Sequence, residues 1–122
     1  MFAAALPLAL AFDLVCSGTL RTGPVGLALP EANGEPFTIT YRVDLDGHQW
    51  CSDDCAATEA VDSVFEGVIV LREQHRDGGS DVIMFTPASG RFTDTAIEGN
   101  IATLRSGTCR PESFSGFPHA VA

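Results

Sequence analysis

A chain of 122 residues suffices for one domain with one modest core. Hydrophobic residues at 45% and charged residues at 19% describe a globular chain, neither disordered nor membrane-spanning. The 16 acids face 7 basic side chains, every one an Arg, for a formal net charge of −9; that balance repels phosphate backbones, excludes nucleic acid as a partner and favours a cationic protein.

The chain opens on MFAAALPLALA, an apolar run closing on small residues at Ala9 and Ala11. Small residues three and one before a cut are what signal peptidase accepts. The reading is a signal peptide over 1–11 and one disulfide-stabilised domain over 12–122, periplasmic or secreted. No Lys or Arg precedes the apolar run. The run is too short to span a bilayer, and no transmembrane segment is expected in the mature chain. The residues before Cys16, Asp13-Leu14-Val15, are not the small ones that lipoprotein processing requires.

From residue 12 the pattern is that of strands. FDLVCSGTL places Phe12, Leu14, Cys16 and Leu20 on one face. A Gly- and Pro-rich loop follows, with a short strand expected around 27–29. In FTITYRVDLD, Phe37, Ile39, Tyr41, Val43 and Leu45 alternate with polar residues, which is the signature of a half-buried strand. Asp46-Gly47 is a turn, and a short strand reaches Trp50 and Cys51. AATEAVDS after Cys55 is compatible with a turn or two of helix. VFEGVIVLRE reads as one central strand, QHRDGGS as a turn containing His75, and DVIMFT as the hairpin partner that Pro87 ends. RFTDT and NIATLRSGTC are the last strands, and Phe114 and Phe117 are expected to pin an irregular tail. Six to eight short strands punctuated by turns give an all-β fold, a small antiparallel barrel or sandwich.

An even number of cysteines in a small exported chain argues for disulfides. The favoured pairing joins Cys16 to Cys109 and Cys51 to Cys55. The first would close most of the chain into one loop, worth ~4–5 kcal/mol in the chain-entropy account. Spacing leaves the two other pairings open.

The stretch HQWCSDDC concentrates the reactive side chains. His48, Cys51 and Cys55 could ligate zinc or copper, which gives an alternative reading as a metal-binding protein. Against it, an oxidising compartment turns thiols into disulfides and no fourth ligand is evident. Three residues separate the cysteines, where thioredoxin-type centres have two, and Asp53 and Asp54 would raise a thiol pKa by like-charge repulsion. The same two acids form an acidic tip that a partner could contact. DLDG at 44–47 resembles the start of a calcium loop, but position twelve of that loop is Cys55, not Glu. There is no G-x-S-x-G elbow and no phosphate loop; His75 and His119 read as solvated loop residues. No catalytic residue, cofactor or resident metal is assigned.

Three stretches together carry a resemblance: the cysteine in FDLVCSGT, the Ser-Gly of PASGRFTD and the closing cysteine of SGTC. This layout resembles the membrane-bound and periplasmic inhibitors of C-type lysozyme, small exported eight-stranded barrels with a terminal disulfide. The resemblance implies an inhibitory loop at Ser89, Gly90, Arg91 and Phe92, and a disulfide between Cys16 and Cys109. Phe92 comes one residue earlier than the Tyr of that family, and the Lys of that family has no counterpart. As a whole the chain is similar to uncharacterised small exported proteins of Gram-negative bacteria. The expectation is therefore a non-enzymatic exported β-domain that binds a protein or ligand in the cell envelope. Its alternatives are a lysozyme-inhibitor-like protein and the metal-binding protein.

Overall fold

The computed structural model describes residues 10–27, 34–53 and 55–118. Most of the expected signal segment, most of the short strand expected at 27–29, Asp54 and His119 lie outside the described residues. The fold is all-β, and its strands in chain order are β1 (Ala11–Pro24), β2 (Glu35–Asp44), β3 (Gln49–Ser52), β4 (Glu59–Ala60), β5 (Ser63–Phe65), β6 (Val68–Arg76), β7 (Gly79–Thr86), β8 (Arg91–Glu98) and β9 (Ile101–Ser113). They form a single antiparallel sheet in the order β4-β3-β2-β1-β9-β8-β7-β6-β5, curled on itself like a half-barrel. Its two edge strands are consecutive pieces of one short segment: β4 pairs with β3, and β5 pairs with β6. That segment joins the sheet's two edges.

The disulfides are Cys16–Cys109 and Cys51–Cys55. Cys16 stands directly opposite Cys109 across β1 and β9. Two residues on, Gly18 stands opposite Gly107, where the backbones meet so closely that a Cβ on Gly18 would lie 1.9 Å from the Ser106 carbonyl oxygen. Only glycine fits such an approach.

The alternation read in β1 and β2 holds. Phe12, Leu14, Cys16, Tyr41 and Val43 turn inward and meet Trp50, Ile69, Leu71, Ile83, Phe85, Phe92 and Cys109 in one core, with Phe37 and Ile39 packed against it. Tyr41 lies with its ring centroid 5.8 Å from that of Trp50 and 5.4 Å from that of Phe92. This core fills one end of the concave face.

Several local expectations are corrected. There are nine strands among the described residues, not six to eight, because two very short ones make up the edges. No helix follows Cys55; Glu59 and Ala60 instead pair with Trp50 and Gln49. A helix of so few residues is marginal, and pairing to a sheet edge outcompetes it. VFEGVIVLRE is not one strand: Glu66 (φ 50°) and Gly67 (φ 79°) form a two-residue turn between β5 and β6. His75 lies on β6, and the turn is confined to Asp77 and Gly78. β9 runs on through Pro111 to Ser113, because β1 pairs with it throughout. Beyond it the tail is held to the body by two hydrogen bonds, while the two Phe rings expected to pin it meet each other. Phe114 and Phe117 meet edge to face at 5.2 Å, Ser115 N–H donates to Asp13 Oδ1 at 3.2 Å, and Arg42 Nη1 donates to the Gly116 carbonyl at 2.8 Å.

Candidate functional site

The residues singled out in the sequence fall in three separate places. Ser89 and Gly90 belong to the turn between β7 and β8. The Ser89 hydroxyl donates to the Thr86 carbonyl at 3.4 Å and accepts from Arg91 N–H at 3.2 Å, while Gly90 takes φ 74°. Its carbonyl accepts from Cys109 N–H at 2.7 Å, tying the turn to the disulfide strand. Ser89 and Arg91 are exposed, but Phe92 is 2% exposed and sits in the core. The accessible part of this loop is therefore Ser89, Gly90 and Arg91.

The HQWCSDDC corner is a stapled turn. Cys51 and Cys55 are both buried and bonded to each other. A thiolate set with His48 would first require that bond to be reduced. His48, Asp53 and Cys55 all adopt left-handed backbone (φ 57°, 51° and 55°), which is costly for a non-glycine residue and must be held from outside. The disulfide holds Cys55. Asp53 is held by exchange with Thr40: its N–H donates to the Thr40 carbonyl at 2.8 Å and its Oδ1 accepts from Thr40 N–H at 3.3 Å. Among the described residues no group of three or more His, Cys, Asp or Glu is arranged to hold a metal ion. His75 Nε2 lies 3.2 Å from Glu73 Oε2 on the surface.

A fourth place, which the sequence reading did not single out, is the seam where the sheet's edges meet. It begins with a β-bulge. Val70 stands opposite Met84 and Arg72 opposite Ile83, so Leu71 is an extra residue in β6. The bulge reverses the inside-outside phase of the strand. Leu71 stays in the core, and Arg72, paired with the core residue Ile83, now also faces inward. The Leu71 carbonyl, displaced from the regular ladder, accepts from Trp50 Nε1 at 2.8 Å. The Arg72 guanidinium lies 5.2 Å from the centre of the Trp50 ring and forms a two-pronged ion pair with Glu59 on β4. The hydrogen bonding that Arg72 donates to Glu59 is the main reason the Arg72 pKa is raised. Two backbone bonds complete the closure, Asp62 N–H to the Val70 carbonyl and Val61 N–H to the His48 carbonyl, both 3.0 Å.

Beyond the core, the concave face carries paired charges. Asp94 and Arg105 stand opposite each other on β8 and β9, 3.2 Å apart. Burial pushes the Asp94 carboxyl above its ordinary value, and Arg105 pulls against that shift. Further along, Arg76 spans Asp81 at 3.1 Å and Glu98 at 2.7 Å. Between this charged half and the core lies the Tyr41 hydroxyl, which is buried and makes no hydrogen bond among the described residues. Burial is the first cause of its raised pKa, and the negative charge of Asp94 is the second. At the seam a cleft of about 310 Å³ opens, lined by Glu59, Ala60, Asp62, Leu71, Arg72, Glu73 and Gln74.

Part of this was within reach of the sequence. Asp94 is two residues from Phe92, and so carries a charge in the phase of the dry face. Arg72 gave no such signal, because only the bulge brings it inside. No helix among the described residues is long and apolar enough to cross a membrane. No protein-family model, curated protein or solved structure matches the chain.

Proposed function

We propose that the protein is a non-catalytic binding domain of an oxidising compartment, periplasmic or extracellular, and that its ligand engages the cleft at the seam. The observation that carries this reading is the placement of Arg72. A β-bulge turns a cation onto Trp50 and Glu59 at the mouth of an open cleft, on a scaffold stapled at two other points. Bulges of this kind re-aim a side chain next to a site. Both disulfides support an oxidising location, since reducing compartments keep thiols free. Mass spectrometry of the exported protein should find a chain beginning at Phe12 with all four thiols oxidised; a cytosolic, unprocessed chain rejects the location. Capture from an envelope extract should be lost with Arg72→Ala while circular dichroism at the capture temperature shows the variant still folded; equal capture by both proteins rejects the cleft.

A second reading, inhibition of lysozyme through Ser89, Gly90 and Arg91, is favoured by the exposure of Ser89 and Arg91 and by the bond from Cys109 N–H to Gly90. Unchanged lysozyme turnover in the presence of saturating protein removes it.

A further inference from the structure

The hairpin beside the cleft carries exposed apolar side chains. Phe65 is 68% exposed and Val64 is 59% exposed, both on the three-residue edge strand β5. Phe65 stands opposite Val68, and Val70 stands opposite Met84. Ile69 and Phe85, opposite each other, belong to the core. By alternation Val68, Val70 and Met84 therefore point out of the convex face, and Phe65 with them. Val70 is buried although it lies outside the core cluster, and Met84 is exposed. Scattered exposed apolar residues are ordinary, but Phe65, Val68 and Met84 share this one face around the buried Val70, while Val64, opposite Ile69, lies on the other face. The shared face stands on a hairpin whose tight turn, with both Glu66 and Gly67 at positive φ, fixes the register of β5 against β6.

The surroundings of this face are mainly acidic. Asp62, Glu66 and Glu73 are exposed around it, and Asp62 and Glu73 also line the adjoining cleft. The base within the cleft, Arg72, is ion-paired with Glu59. On β8 an outward-facing base, Arg91, stands opposite Thr86. An apolar centre whose neighbouring exposed charges are three acids, Asp62, Glu66 and Glu73, to one base, Arg91, fits a partner with an apolar pocket in a mainly basic rim. A second copy of this chain is the poorer occupant, because two molecules of net charge −9 would bring their acidic rims together.

We propose that the convex face of the β5–β6 hairpin docks a basic protein, with Phe65 as the anchor in an apolar pocket of that partner and its Lys or Arg side chains over Asp62 and Glu66. This rests on the reading of the protein as a binding domain and names the partner's chemistry. Complementary charge would speed the encounter, and the buried ring would slow dissociation.

The test uses the intact, disulfide-bonded protein immobilised and exposed to a soluble extract of the organism that encodes it, with Phe65→Ser, Glu66→Arg and Arg72→Ala in parallel. Because Phe65 and Glu66 are exposed, those two variants should melt as the wild type does, which separates lost docking from lost folding. The expected result is retention of a basic protein that falls about tenfold or more with Phe65→Ser. With Glu66→Arg its association should slow and lose much of its dependence on salt. A retained partner that is acidic, or one that both hairpin variants hold as well as the wild type does, overturns the proposal. If Arg72→Ala alone abolishes retention, the cleft reading stands and the hairpin reading falls. If the wild type retains nothing beyond what an unrelated acidic protein retains, both fall.

Discussion

The β1–β9 ladder and the seam at β4 and β5 hold the same sheet together by opposite means. From Phe12 opposite Ser113 to Pro24 opposite Ile101, β1 and β9 pair without interruption, bridged by Cys16–Cys109 and brought close at Gly18 and Gly107. At the seam the strands are two and three residues long, and closure depends on Trp50 reaching Leu71, Arg72 reaching Glu59, and two backbone bonds. The ladder is redundant, so removing one pair leaves its neighbours in place. The seam is not, so each contact there controls access to the cleft. Regions with few backbone bonds and exposed edges open first, and binding surfaces are drawn from them.

If that contrast is right, the largest loss of stability should come from the ladder's staple. Replacing Cys16 and Cys109 together by Ala should lower unfolding free energy by about 4 kcal/mol, since the bond closes a separation of 93 residues. The same treatment of Cys51 and Cys55, four residues apart, should cost about 2 kcal/mol. Urea titrations of the two double variants compare them directly; an equal loss would place the staple's importance elsewhere.

Next comes the close approach. Gly18→Ala sets a methyl against backbone and not against a side chain that could swing aside, and should cost about 3 kcal/mol. Gly67, at the hairpin turn, meets nothing within 4 Å but has φ 79°, so Gly67→Asn, the substitution best tolerated in left-handed backbone, should cost under about 1 kcal/mol. A small effect at Gly18 in thermal unfolding would mean that the ladder can part there without penalty.

Trp50→Phe keeps a ring in the core but leaves the Leu71 carbonyl without its donor, at about 1–2 kcal/mol. The sharper readout is hydrogen exchange. The amides of Val61 and Asp62 should exchange faster while those of β1 keep their protection; uniform acceleration would show that seam and ladder open as one unit.

The smallest effect concerns pH. The Asp94 carboxyl titrates above its ordinary value because it is buried. Between the unfolded and folded values the native state therefore holds a proton that the unfolded chain has released, and stability declines as pH rises through that window. Asp94→Asn should remove this decline from a plot of melting temperature against pH. A slope unchanged in the variant would assign it to another group.

How legible these regions were differs in the same way. The alternation of Phe37, Ile39, Tyr41, Val43 and Leu45 marks a strand with one dry face, and the inward side chains of β2 follow it. Alternation is a property of the backbone, repeated every two residues, so it can be read from neighbours in the chain. Both disulfides were expected in the pairing found, although spacing alone left others open. The stretch 56–63 misled because its composition suits a short helix, while its conformation is set by two sheet edges remote in sequence. The Ser-Gly turn was placed correctly as a turn, but Phe92 belongs to the core and not to the loop's surface.

Chain order thus already carried the all-β class, the inward faces of the first strands, the expectation of two disulfides and the acidic character, because each rests on local pattern or composition. The seam was settled only by folding. A single extra residue in β6 inverts the facing of everything after it, and nothing in the run of residues from Val68 to Arg76 marks where that residue lies. The position is chosen by what the curled sheet brings opposite it: the Trp50 indole for the Leu71 carbonyl and the Glu59 carboxylate for Arg72. These are contacts between residues distant in sequence, and they exist only once the two edges have met.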